Sequence, residues 1–188
     1  KSTDITTGSL LFGISSGSSE LYTTASIEKG RFNHIVATLD REGETHRAQI
    51  FVNRKLLTEA TGTNIGQISF NTSSVTIASG VSHFFSGTMV TPTLTFTGAI
   101  DELRIWHSTR SIDDQERFAT RNVFANKDTL RLCYRFNEQP NNTKPYLILD
   151  SSGFGMHGNL ELSQSTGAAK RFDTLIEGIA ISASIRTT

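Results

Sequence analysis

The sequence predicts an all-β protein: a two-sheet antiparallel jelly-roll sandwich with one short helix. Three observations point there. Ser and Thr supply 46 of the 188 residues, beside 15 Gly and 12 Phe. Thr and Phe suit pleated, half-buried surfaces, whereas Ser and Gly suit turns. Short runs of alternating apolar and polar residues recur between turn signals, and only one segment carries a helix start.

In chain order, residues 9–14 and 20–27 read as strands joined by a Ser/Gly turn at 15–19. Residues 32–39 follow, with Ile35, Ala37 and Leu39 on one face at period 2. A charged turn, 40–44, leads into the strand 48–52. Asn53-Arg54-Lys55 then turns the chain, and Asn53 tolerates positive φ. Residues 58–69 read as polar and irregular, 75–78 as a short strand, and 79–93 as the longest loop. Residues 94–106 read as one or two strands broken near Gly98. Ser111 caps a helix predicted to run to about Asn122, with Asp114 in the capping-box position. Asp113, Asp114 and Glu116 early and Arg117 and Arg121 late suit its dipole. Residues 130–136 are a strand, 140–145 a loop, and Gly153, Gly155 and Gly158 dominate a further turn. Residues 176–185 close the pattern with Ile179, Ile181, Ala183 and Ile185 in strict alternation.

The composition excludes several classes. Eighteen basic and 18 acidic side chains give zero formal net charge. Nucleic-acid binding would need a basic face, so no nucleic-acid partner is expected. No apolar run approaches the ~20 residues of a spanning helix, so no membrane insertion is expected. The single cysteine, Cys133, forms no intrachain disulfide and no multi-thiolate zinc site. The chain opens on Lys1 without a leader-like pattern, so its localisation is not legible there.

Three stretches resemble a known family. Residues 30–53, from Gly-Arg-Phe-Asn-His-Ile-Val-Ala-Thr-Leu-Asp to Gln-Ile-Phe-Val-Asn, are similar to a hairpin of laminin G-like domains. Residues 96–111, Phe-Thr-Gly-Ala-Ile-Asp-Glu-Leu-Arg-Ile-Trp-His-Ser-Thr-Arg-Ser, resemble the family's F-x-G-x-I-D-E-V-R-I-W block. Residues 134–160, with Phe136-Asn137-Glu138, Asp150-Ser151-Ser152-Gly153 and His157-Gly158, resemble a segment that often accompanies these domains. The superfamily is the concanavalin A-like, or pentraxin-like, jelly roll. Phe32 stands where the family usually has Trp, and Asn53-Arg54 replaces its Asp-Gly turn. The resemblance implies a core at 1–130 with its opening strands missing. Residues 131–188 then pack on that sandwich or complete it, with 179–185 filling a sheet edge from this chain or a neighbouring one. It also implies a slice of a larger modular protein, of the kind found in bacteriophage virions.

Candidate site residues are few. Glucanases of this superfamily carry carboxylates on one strand face, about 5 Å apart for a retaining mechanism. Adjacent Asp101 and Glu102 would point to opposite faces of a strand, so they form no such pair and no catalytic residue is assigned. Asp101, in register with Leu103 and Ile105, is expected to be buried and structural, as are Trp106 and Ser111. Asp150 is expected to cap the Ser151-Ser152-Gly153 turn through an Asx-turn, with His157 and Gly158 in the same structural set. Cys133 is expected to be a small buried thiol. Asp40, Glu42 and Glu44 form the one candidate calcium turn, with no other cofactor expected. Phe84 and Phe85 are the candidate ligand-stacking residues.

The expected function is a non-catalytic module that binds a glycan or protein surface through rim loops, extracellularly or on a virion surface. The alternative is a capsid, tail or fibre component whose contacts with neighbouring chains are its function.

Overall fold

The computed structural model describes residues 7–16, 18–63, 65–66, 68, 75–77, 83–85, 88–90, 98–119, 129–137, 147–162 and 179–183. The strands are β1 (Thr7–Ser16), β2 (Ser19–Glu28), β3 (Ile35–Asp40), β4 (His46–Val52), β5 (Lys55–Gly62), β6 (Val75–Ile77), β7 (His83–Phe85) and β8 (Thr88–Val90). Next come β9 (Leu103–Trp106), the helix α1 (Ile112–Phe118), β10 (Leu130–Tyr134), β11 (Leu147–Ile148), β12 (Gly158–Leu162) and β13 (Ile179–Ala183). Strand predominates, the pairings are antiparallel, and α1 is the one helix among the described residues. The predicted all-β class is what the chain adopts.

The chain divides into two compact units. The first comprises Lys1–Ser69, Phe85–Gly87 and Thr109–Val123. In it β1 and β2 form a hairpin, and β3, β4 and β5 form a sheet in that order. Leu21, Ala48 and Ile65 make one buried cluster, packed by Phe12, Ile14, Leu39, Ala60 and Ile68. Ala25, Ile50 and Val52 make a second, packed by Leu10, Phe12 and Ile27. The register pairs Ile35, Ala37 and Leu39 with Val52, Ile50 and Ala48, so all six share a face. Only the β4 members are fully buried, because β2 packs against β4 and β5 while β3 lies at the edge. Ile35 is therefore exposed despite its apolar face.

Residues 55–62, read as partly irregular, are the edge strand β5. Its polar residues are explained by where they lie. Thr58 Oγ1 meets Thr23 Oγ1 at 2.8 Å, and Glu59 accepts from Gln49 Nε2. Asn53 (φ 50°) and Arg54 (φ 71°) both sit in the left-handed region, forming the two-residue turn between β4 and β5. Arg54 has no local reason to prefer that region. Arg54→Gly is expected to stabilise the chain by about 0.5–1 kcal/mol, read as a higher urea midpoint. The Ser111 side chain accepts from Asp114 N at 3.1 Å, capping α1. The helix ends at Phe118, one turn before the expected Asn122. Residues 120–128 lie outside the described set.

The second unit comprises Phe70–Phe84, Thr88–Ser108 and Phe124–Thr188. Here β9 pairs with β10, and β11, β12, β13 and β6 form a sheet in that order. The expected last strand thus docks onto a sheet of its own chain. Residues Gly158–Leu162 of β12 pair with Ala183–Ile179 of β13, and β13 also pairs with β6. The register aligns Leu160, Ile181 and Ile77 in one row and Asn159, Ser182 and Thr76 in the next, so apolar matches apolar across three strands. A separate hairpin, β7–β8, occupies part of the stretch read as a long loop.

Candidate functional site

Among the described residues the densest polar construction is centred on Asp150. Strand β10 brings Cys133 and Tyr134 beside it through an antiparallel bridge between Tyr134 and Asp150. Asp150 Oδ1 accepts from Cys133 N at 3.0 Å and Ser152 N at 2.9 Å. Its Oδ2 accepts from Ser152 Oγ at 2.7 Å and Met156 N at 3.1 Å. The bond to Ser152 N is the expected Asx-turn, and the other three are what sequence reading missed. The Asp150 amide donates to His157 Nδ1 at 3.0 Å, which places the neutral ring's proton on Nε2. Ser151 N donates to the Cys133 carbonyl at 2.8 Å, closing the link to β10. A carboxylate accepting this many donors fixes a turn that glycines at positive φ make sharp: Gly153 at 95° and Gly155 at 70°.

Tyr134 fills the space beneath. It is fully buried, and its hydroxyl donates to the Met156 carbonyl at 2.7 Å. Its ring meets Phe136 edge-on, with centroids 5.9 Å apart. Burial, with the nearby Asp150 charge, pushes its phenol up to about 12. Gly158 is buried against it, and a Cβ there would sit 3.1 Å from the Tyr134 hydroxyl. These residues form a rigid structural hub.

Cys133 is 1% exposed, and burial raises its thiol, with Glu102 adding to the effect against Arg104 and Arg135. A buried thiol held protonated is a poor nucleophile.

Asp101 departs from expectation: it is exposed. The reason is local. Glu102 adopts φ 51°, so the backbone leaves extended geometry and the strand begins only at Leu103. The alternation that would have turned Asp101 inward is broken. Glu102 is the structural carboxylate instead, accepting from Arg104 Nη2 at 2.8 Å and Nε at 3.2 Å. Asp101→Ala is therefore expected to shift stability by less than about 0.5 kcal/mol in urea unfolding, as for ordinary surface positions. Trp106 closes β9 half-buried, opposite Leu130.

Of the candidate calcium turn, Asp40 Oδ1 accepts from Glu42 N at 2.9 Å, and Arg41 Nη2 donates to the Gly66 carbonyl at 2.9 Å. Asp40 is thus committed to the turn. Asp40, Glu42 and Glu44 do not converge, and among the described residues no three His, Cys, Asp or Glu side chains could hold a metal ion together. Phe84 and Phe85 lie in β7; their side chains fall outside the described set.

Two surface features were not singled out from sequence. On the outer face of the β1–β2 hairpin, Tyr22 (38% exposed) lies across from Gly13, and Leu11 (37% exposed) across from Thr24. Exposed Ser9, Ser15, Thr24 and Ser26 surround them. On the hub, Phe154 is 54% exposed, with the Arg131 guanidinium carbon 4.9 Å from its ring centroid. No helix among the described residues is long and apolar enough to cross a membrane.

The laminin G-like family model described as the concanavalin A-like lectin/glucanases superfamily matches residues 4–114. No curated protein and no solved structure matches the chain. The matched stretch contains both hairpin strands β1 and β2, the β3–β5 sheet, β9 and the Ser111 cap, all in an antiparallel, strand-dominated chain. With more than half of its length matched, the chain belongs to the concanavalin A-like lectin/glucanases superfamily.

Proposed function

We propose that the chain is a recognition module that binds a glycan or protein surface without chemical turnover, as part of a larger extracellular or virion-surface protein. The observation that carries this is the row of exposed residues on the outer face of the β1–β2 hairpin. Saccharides present C–H faces and hydroxyls together. The Tyr22 ring and Leu11, set among Ser9, Ser15, Thr24 and Ser26 with Glu20 at one end, offer an apolar centre within a grid of polar donors and acceptors. Strand pairing fixes that grid, so little ordering is needed on binding. Three of the carboxylates are held in structural bonds, which supports a non-catalytic reading. Asp150 is taken up by four donors, Glu102 by Arg104 and Glu59 by Gln49.

The test is a glycan array probed with the whole chain and its Tyr22→Ala variant. Binding to a defined glycan subset, weakened at least tenfold in the variant, is expected. An array without signal, together with self-association in sedimentation, would instead favour the reading as an assembly component held by neighbouring chains.

A further inference from the structure

We propose that Arg131 and Phe154 form a second binding site, in the other unit, that takes a carboxylate-bearing sugar such as a uronic acid. It lies outside the residues matched by the family model and goes beyond the recognition surface proposed for the β1–β2 hairpin.

The site is built from both sides. Arg131 stands on β10, two residues before Cys133, whose amide Asp150 binds. Phe154 stands on the turn that Asp150 organises. Its amide donates to Ser152 Oγ at 3.3 Å, and that same oxygen lies 3.1 Å from the Arg131 carbonyl. That hydroxyl, whose proton goes to Asp150 Oδ2, accepts from the backbone of the ring and lies beside the backbone of the cation. The turn has little freedom to relax, since the Asp150 carboxylate accepts from Ser152 N and Met156 N on either side of Phe154.

The Arg131 side chain is half-buried, and among the described residues no carboxylate pairs with it. That contrasts with Arg31, Arg104 and Arg110, each of which has an acidic partner at 2.9, 2.8 and 3.3 Å. A guanidinium stacked on a ring uses its face. Its N–H donors lie in its plane, in the fork that matches a carboxylate. Stacking and bidentate binding are thus compatible. The ring, more than half exposed, supplies the apolar surface beside it on which a sugar's C–H face can rest. A carboxylate a few ångströms from a sugar ring is the geometry of a uronic acid.

The experiment is an NMR titration of the full chain with a hyaluronan hexasaccharide, a neutral chitin hexasaccharide and a hexaglutamate peptide. The expected result is that hyaluronan shifts the Arg131 Nε–H and Phe154 amide signals while chitin leaves them in place. Arg131→Gln and Phe154→Ala should each weaken hyaluronan binding at least tenfold, with Arg131→Lys intermediate because it keeps charge without the fork. Tyr22→Ala should leave these shifts unchanged. No shift at Arg131 and Phe154 would overturn the proposal, as would binding that survives Arg131→Gln. Hexaglutamate shifting the same signals as strongly would also overturn it, assigning the site to acidic polypeptide. If a variant loses the dispersed spectrum of the folded chain, the wild-type shift map decides alone. Hyaluronan binding lost in Tyr22→Ala but kept in Arg131→Gln would sink this site and leave the hairpin reading standing.

Discussion

Asp150→Ala is expected to destabilise the chain by about 3–5 kcal/mol, the range for removing one side of a buried hydrogen-bonded network. The carboxylate serves four donors, three of them backbone amides: Cys133 N, Ser152 N and Met156 N. Ser152 Oγ can turn to the Arg131 carbonyl 3.1 Å away, but the amides have no such alternative and would be stranded. Asp150→Asn keeps one oxygen as an acceptor and replaces the other with an amide NH2, a donor that faces donors. Its loss should be smaller, about 1–3 kcal/mol, one or two unmade bonds rather than the whole set. Urea unfolding of the three proteins gives the comparison. A loss below about 1 kcal/mol for Asp150→Ala would mean the hub is not holding the turn.

Tyr134 carries the second large effect. It is fully buried and wedged against Gly158, so Tyr134→Ala should lower stability by about 3–5 kcal/mol, as for large aromatic truncations. The hydroxyl adds a pH signature. Its folded-state value is raised to about 12 from an ordinary 10, because burial and the Asp150 charge disfavour the phenolate. A raised folded value means the associated stability is fully present below pH 10 and is lost as pH rises from 10 through 12. The shift corresponds to roughly 2–3 kcal/mol. Tyr134→Phe should remove that alkaline dependence while losing about 1 kcal/mol at neutral pH for the bond to the Met156 carbonyl. A wild-type chain whose stability stays flat from pH 9 to 12 would contradict this reading.

What the sequence revealed was local in origin. The β1–β2 alternation, the β4 strand and the Ser111 cap each depend on a few neighbouring residues, and each stands where the pattern put it. The last strand was legible through the strict alternation at 179–185, and its ladder lies within this chain. Asp101 failed because a single positive φ at Glu102 breaks the period, and nothing in Asp-Glu-Leu-Arg announces that break. Strand β5 was missed because an edge strand needs few apolar residues; its Thr and Glu find partners across the sheet instead. The Asp150 hub was seen only in part. Its Asx-turn is local, but the bonds to Cys133 N and Met156 N depend on β10 lying alongside. The Arg131–Phe154 pair depends on the same juxtaposition. A lone Phe between Gly153 and Gly155 was the one available signal, an apolar side chain where a turn would ordinarily be polar. The surface around Tyr22 was hidden for a different reason: alternation shows which residues face outward, not which outward face gathers an apolar centre.

The reading as a recognition module rests on binding without turnover, and one measurement addresses both. The whole chain is incubated with a glycan that it retains on the array. The mixture is followed by NMR through the saccharide signals and the backbone amides of residues 22–26 in the hairpin. The expected result is saturable, reversible shifts confined to the outer face of β1 and β2, with the saccharide recovered intact. Release of new reducing ends, or binding that leaves every hairpin signal unmoved, would contradict it.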